Sequence, residues 1–250
     1  MERLRITNPW PNAPVYYLES TGSTMDDALA LASNGEPGGT VVAAGHQRRG
    51  RGRLGERTWS DEPGRNLLFT LILKESFSFP PQRLPVLVGL ALSLALRDLY
   101  KLETLVKWPN DLLFKGRKLA GILCRAHGAI YLAGVGLNCN QRSFPPELAA
   151  SSCSLVQLLR TGEDIPVPAL LERVLAAIKA ALADERWKEK LLKRLYGLGC
   201  RLTVVQSLLG AAPRELAGQA EGIGDDGSLL LRPEPGGELI AVASGEIRRI

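Results

Sequence analysis

Apolar residues fall along the chain in two rhythms. Short runs bounded by turn residues read as strands: VYYLES at 15–20, TVVAA at 40–44 and NLLFTLIL at 66–73. Between the first two, TGSTMDDALALAS reads as a helix. Ser23 or Thr24 can cap it, Asp26 and Asp27 sit in its first turn against the helix dipole, and Gly35 stands just past its end. Residues 82–100 are apolar nearly all round, which predicts a helix deep in the core. Three strand-like pieces follow, TLVKW, RKLAGILCRA and AIYLAGVGLN, with turns at Lys115–Gly116 and His127–Gly128. A long amphipathic helix is predicted over 168–195.

The rhythm shortens after Gly197. CRLTVVQ, RELAGQAEGI, SLLLRP and ELIAVAS are short strands separated by turn signals such as Asp226–Gly227 and Pro235–Gly236–Gly237. Residues 1–196 therefore read as an α+β domain, a mixed sheet with helices packed on it. Residues 197–250 read as a small appended β-barrel domain.

Composition excludes more than it identifies. Of 250 residues, 45% are apolar and 23% charged, which suits a globular chain with a real core. The longest apolar run, LPVLVGLALSLAL, contains a proline, is closed by Arg97 and Asp98, and is too short to span a bilayer. The N-terminus lacks the apolar core of a signal peptide. Four scattered cysteines form no C-x-x-C pair, so neither a zinc site nor a disulfide framework is suggested and a reducing cytoplasm is expected. Two histidines supply a triad or metal cluster only thinly. A net charge of +5 suits anionic partners such as nucleotides or acidic proteins without diagnosing DNA binding.

The densest chemistry lies in GHQRRGRGRLGERTW at 45–59. Gly50, Gly52 and Gly55 spell G-x-G-x-x-G, but no helix can open in ERTWSDEPGRN, so the pyrophosphate seat of a dinucleotide fold is missing. No kinase H-R-D or D-F-G follows, and Glu56–Arg57 stands where a P-loop needs Lys–Ser/Thr. An arginine-glycine RNA tail would be repetitive, whereas this is one unit between two buried strands. What remains is a cationic loop that closes over an anion, with glycines admitting close backbone approach, arginine forks for carboxylate or phosphate, and Trp59 as an apolar cover.

A second charged cluster, KWPNDLLFKGRKLAGIL, places Lys107, Asp111 and Lys118 beside strands that otherwise look buried. Buried charge must be paired or used, so a cleft is implied. Lys115 and Arg117 read as a solvated turn, and GVGLN at 134–138 could be an ordinary strand exit.

Taken in order, G-R-G-R-x-G with a following Trp, K-W-P-N-D, R-K-L-A-G-I-L and G-x-G-L-N resemble the biotin–protein ligase (holocarboxylase synthetase) family, from STGST near residue 20 to SGE at 244–246. The resemblance implies a class II aminoacyl-tRNA synthetase-like catalytic fold with a C-terminal SH3-like barrel. Because few residues precede the first strand, it is to the short class without an N-terminal DNA-binding domain, and no DNA or membrane partner is expected. It implies that biotin and ATP, with Mg²⁺, form biotinyl-5′-AMP, and that a lysine of a biotin carboxyl carrier protein then takes the biotinyl group. Family members are often homodimers.

By motif position, Ser23, Thr24, Met25 and Gln47 would meet the biotin head group. Arg51, Gly52 and Arg53 would close over its carboxylate and the α-phosphate, and Trp59 would pack on it. Lys118 would be the essential cation, with Arg51 and Arg53 catalytic beside it. Asn110, Asp111 and Asn138 would surround the nucleotide, Asp111 being the candidate Mg²⁺ ligand. The chain departs from the family pattern where Met25 replaces the usual Asn, where one extra residue lies between Gly55 and Trp59, and where SSCSL at 151–155 lacks an aromatic. A lipoate–protein ligase would need R-R-x-S-G-G-G, which is absent. A nucleic-acid-binding module would leave Lys118 and K-W-P-N-D without a role.

Overall fold

The structure is a computed structural model that describes residues 1–53, 58–74, 79–160, 162–206, 213–233 and 236–249. A large sheet is built from β1 (Glu2–Leu4), β2 (Val15–Leu18), β3 (Val41–Ala44), β4 (Leu67–Leu73), β5 (Leu105–Lys107), β6 (Asp111–Phe114), β7 (Arg117–His127) and β8 (Ile130–Leu137). Their spatial order is β1-β2-β3-β4-β8-β7-β6-β5. β2 and β3 pair in parallel, and the other neighbours pair antiparallel. The parallel pair needs a crossover, and α1 (Thr24–Ser33) supplies it. Ser23 is its N-cap, with Asp26 and Asp27 in the first turn as the pattern predicts, and Gly35 adopts φ +98° past its end.

All seven residues of β4 are buried, because α1 and the cleft cover the face of Thr70 and Ile72, while Leu67, Phe69, Leu71 and Leu73 enter the main apolar core. The remaining helices are α2 (Leu84–Tyr100), α3 (Pro146–Ala149), α4 (Leu155–Leu159), α5 (Val167–Leu182) and α6 (Trp187–Leu192). α2 is the deep apolar helix and packs on α5 and the sheet.

The single helix predicted over 168–195 is instead two. After Ala183 the chain turns: Asp184 Oδ1 accepts the Arg186 N–H at 3.0 Å and its carbonyl accepts Trp187 N–H at 3.2 Å. A short polar side chain has captured backbone donors that a continuous helix would need. Strands β1 and β6 and the short helices α3 and α4 carry too few residues to show a rhythm, and the sequence pattern did not reveal them.

The C-terminal segment forms β9 (Arg201–Gln206), β10 (Arg214–Ile223), β11 (Leu229–Arg232), β12 (Ile240–Val242) and β13 (Glu246–Arg249), an antiparallel sheet in the order β12-β11-β10-β9-β13. The last of these, β13, lies outside the runs that the sequence pattern predicts. This sheet is keyed to the larger one through the turn before β11. Trp108 Nε1 donates to the Gly227 carbonyl at 3.0 Å, and Arg83 Nε donates to the Asp225 carbonyl at 2.6 Å. Arg83 also lies over the rings of Phe79 and Trp187, 4.8 and 4.6 Å from their centroids. Gly227 has φ +87°, and a Cβ there would come 2.7 Å from the Arg83 Cα, so the close approach requires glycine.

Candidate active site

The cleft lies over a bare patch of the large sheet. Gly121 of β7 sits opposite Gly136 of β8, and Gly134 sits opposite Leu123. A Cβ at Gly136 would come 2.5 Å from Trp59 Cε2, one at Gly121 2.9 Å from Trp59 Cζ3, and one at Gly134 2.9 Å from Met25 Cε. The indole and the thioether therefore rest on glycine backbone, which is why these strand positions carry no side chain. The cavity above holds about 130 Å³.

Lys118 reaches this face through a register shift. Leu113 opposes Lys118 whereas Leu112 opposes Ala120, so Leu119 is an extra residue in β7. Strict alternation would put residues 118 and 121 on opposite faces of the sheet. The bulge brings them to the same one, and Lys118 Cε lies 3.3 Å from the Cβ position of Gly121. The Lys118 ammonium sits 2.7 Å from Asp111 Oδ1 and 5.7 Å from the Trp59 ring centroid. Strand start and bulge are held from outside, where Lys118 N–H donates to the Ser151 carbonyl and Cys153 N–H to the Lys118 carbonyl.

One end of the cleft is uncharged and polar. Gln47 Oε1 accepts both the Thr24 N–H at 2.9 Å and the Thr24 hydroxyl at 3.0 Å, and the Thr24 and Thr70 hydroxyls lie 2.9 Å apart. Ser23, Thr24 and Thr70 are buried, each at the wall of the cavity. Met25 lines the same end and packs into the apolar cluster of Ala28, Val42, Ile72 and Leu132.

Arg51, Gly52 and Arg53 also line the cavity. Arg51 Nη2 donates to Asp26 Oδ2 at 2.7 Å, tying the loop to the first turn of α1. Arg53 Nη2 donates to the Gly245 carbonyl at 2.7 Å, and Glu246 is part of the cleft wall, so the C-terminal sheet contributes to the site. Residues 54–57, which include Glu56 and the extra position, lie outside the described residues.

The third wall is the segment Lys107–Asp111, with a cis peptide bond between Trp108 and Pro109. Asn110 is locked to β7, its amide donating to the Ile122 carbonyl at 3.0 Å and its own carbonyl accepting Ile122 N–H at 2.8 Å. Asn138, expected around the nucleotide, is not among the cleft walls. It is buried, and its amide donates to the Cys153 carbonyl at 3.1 Å, so it fastens the end of β8 instead. A magnesium ion would find Asp111 already paired with Lys118, and no three His, Cys, Asp or Glu side chains cluster among the described residues. The described residues thus build no metal cage of their own. Burial pushes the Cys139 thiol up to about 12 and the Cys153 thiol up to about 11, leaving both protonated near neutral pH.

The cleft also uses residues that the sequence motifs did not flag. Thr70 is the one hydroxyl in the apolar run LLFTLIL, a visible signal. Gly121 sits inside the R-K-L-A-G-I-L motif, and its partner Gly136 inside G-x-G-L-N, but their pairing is a matter of register. Glu246 belongs to the SGE at 244–246 that closes the resemblance, but its arrival at the site from the far end of the chain is a matter of tertiary structure.

Residues 17–141, half of the chain, match the Biotin/lipoate A/B protein ligase family. The chain belongs to that family. Over 92% of its length it is 31% identical to 73% of the "Bifunctional ligase/repressor BirA" of Bacillus subtilis. It is 32% identical to the "Biotin--[acetyl-CoA-carboxylase] ligase" of Mycobacterium tuberculosis, covering 91% of this chain and 85% of that protein. A protein of the same name from Paracoccus denitrificans is 32% identical, with 90% and 97% covered. Among solved structures, the biotin protein ligase of Aquifex aeolicus in complex with biotin and ATP superposes with a TM-score of 0.82 at 27% identity, covering 94% of this family member and 99% of that chain.

Proposed function

We propose that this chain is a biotin–protein ligase, which activates biotin with ATP and transfers it to a lysine of a biotin carboxyl carrier domain. The single observation that carries the reading is the polarity of the cleft: a neutral hydrogen-bonding end at Thr24 and Gln47, and a cationic end at Arg51, Arg53 and Lys118, joined by an apolar Trp59 wall. A ligand with a ureido head, an aliphatic tail and a terminal carboxylate fits that gradient. The biotin-named relatives and the Aquifex structure support biotin over lipoate.

In the first half-reaction the biotin carboxylate oxygen attacks the α-phosphorus of ATP and the bond to the departing pyrophosphate breaks. Two anions must approach each other, so the chief barrier is electrostatic. Lys118, Arg51 and Arg53 offset the repulsion and stabilise charge on the α-phosphoryl oxygens. Ser23, Thr24 and Gln47 bind the ureido group, Met25 packs under it, and Gly52 lets the loop backbone approach. Asn110 and Asp111 take the nucleotide side, Asp111 also orienting Lys118. In the second half-reaction the acceptor lysine attacks the acyl carbon, AMP leaves, and the amine gives up its proton. Magnesium, which would arrive on the triphosphate, would supply further charge neutralisation.

Residues 1–196 form the catalytic domain in this reading, and residues 197–250 an SH3-like barrel that braces it through Trp108 and Arg53. The four free cysteines fit a reducing cytoplasm, and no helix among the described residues is long and apolar enough to cross a membrane. The test is pyrophosphate release in the presence of biotin and Mg·ATP. Release that does not depend on biotin would refute the assignment.

A further inference from the structure

The loop from β3 to β4 is closed by a ladder in which one rung is ionisable. Outward from β3, Gly64 N–H donates to the Gly45 carbonyl at 2.8 Å, and His46 Nδ1 lies 2.9 Å from Asp61 Oδ2. Beyond them Trp59 N–H donates to the Gly50 carbonyl at 3.0 Å, and Arg51 bridges to Thr58. The Asp61 side chain is 0% exposed, whereas that of His46 is 30% exposed. Asp61 Oδ1 is buried with no hydrogen-bond partner among the described residues. Neither side chain lines the cleft, and the chemistry proposed above uses neither. A carboxylate held in a dry setting with one oxygen orphaned is costly, so its single bond to His46 is not interchangeable with packing.

The position of that rung suggests what it is for. His46 directly precedes Gln47, and its carbonyl accepts Thr21 N–H at 3.0 Å while Gln47 bridges to Thr21 in parallel fashion. Gln47 in turn presents Oε1 to the Thr24 backbone and hydroxyl. Pinning the imidazole to Asp61 therefore fixes the stretch of backbone from which the Gln47 amide is delivered. The same pin ties the outgoing stem of the arginine-glycine loop to its incoming stem, two residues beyond Trp59.

We propose that His46 and Asp61 are positioning residues that hold Gln47 and the loop stem in register for the head-group end of the cleft. The inference rests on the reading of Gln47 as a biotin contact. It predicts a defect that falls mainly on biotin recognition: apart from Arg51 and Arg53 at the α-phosphate, the ATP side of the cleft is built from the Lys107–Asp111 segment and β7, which the rung does not touch.

The experiment compares His46→Asn, whose amide nitrogen can occupy the place of Nδ1, with His46→Gln, whose amide is displaced by one carbon. Asp61→Ser, too short to reach His46, and the His46→Gln/Asp61→Ser double variant complete a cycle. Steady-state pyrophosphate release gives KM for biotin, KM for ATP and kcat, and thermal midpoints confirm folding. His46→Gln and Asp61→Ser are each expected to raise the biotin KM about tenfold, the size typical of losing a hydrogen bond to a charged group. The ATP KM should stay within about twofold, the double variant should be no worse than either single one, and His46→Asn should recover most of the loss. A biotin KM unmoved in folded His46→Gln and Asp61→Ser, both KM values rising together, additive losses, or Asn no better than Gln would each overturn the proposal. Wild-type enzyme lacking biotin-dependent turnover would instead overturn the parent reading, so the two failures are distinct.

Discussion

Replacing Lys118 with Ala removes one charge but exposes another. The Lys118 ammonium lies 2.7 Å from Asp111 Oδ1, and the two side chains are 37% and 23% exposed. With both present the cleft wall is nearly neutral at this point, and an incoming phosphate can draw the ammonium toward itself. With lysine gone, Asp111 faces the nucleotide unopposed. At an effective dielectric of about 20, a carboxylate 4–8 Å from a phosphoryl charge costs about 2–4 kcal/mol, before discounting for the partial exposure of the site. Loss of a preorganised stabilising group of this kind costs about 2.7–4 kcal/mol. Lys118→Ala is therefore expected to slow biotinyl-AMP formation on the order of 10²–10³-fold, measured by biotin-dependent exchange of labelled pyrophosphate into ATP. Adding Asp111→Asn removes the exposed repulsion and should recover about tenfold of that loss, close to 1.4 kcal/mol. Lys118→Ala within about threefold of wild type would refute the electrostatic role. A double variant no faster than Lys118→Ala would refute the idea that Asp111 and Lys118 act on the same developing charge.

Other consequences are smaller but sharp. Gly136→Ala places a Cβ 2.5 Å from the Trp59 ring, and overpacking of about 1–3 kcal/mol should lift the indole off the sheet; calorimetric titration should find biotin affinity reduced about tenfold with the fold intact, and unchanged affinity would contradict the glycine-floor argument. Trp108→Phe loses the indole bond to the Gly227 carbonyl, about 1–3 kcal/mol if that acceptor stays dry, and should speed amide exchange near β11 while leaving β4 protected. Alkylation of native protein at pH 8 should label exposed Cys200 and spare Cys139 and Cys153, whose burial raises their thiols to about 12 and about 11. Because those folded values lie above the ordinary thiol range near ~8.5, the stability linked to them is fully present below that range. It is lost as pH climbs through about 11 to 12, so alkaline unfolding should accompany their labelling.

The parts of this molecule legible from sequence were those written in local chemistry. Ser23 and the acidic first turn announced α1, and the uniform apolarity of residues 84–96 announced a buried α2, because capping and burial act within a few residues. The break at Asp184 was hidden, since a hydrogen bond to Arg186 N–H overrode an amphipathic pattern that ran straight through it. Lys118 stood out as a charge entering an apolar strand, yet its direction depends on the extra residue Leu119, which no alternation pattern displays. Asn138 looked like a ligand group at a strand end, but the fold spends its amide on the Cys153 carbonyl. Gly245 could be tied to Arg53, and Glu246 to the cleft, only by tertiary contact across about two hundred residues.

The most direct test combines the intact protein with biotin, Mg·ATP and an apo biotin carboxyl carrier domain, with intact-mass spectrometry of the carrier. The account predicts one added biotinyl group on a single carrier lysine, dependent on ATP, and abolished on the assay timescale by Lys118→Ala. A carrier of unchanged mass with folded wild-type enzyme, or equal labelling by Lys118→Ala, would contradict it.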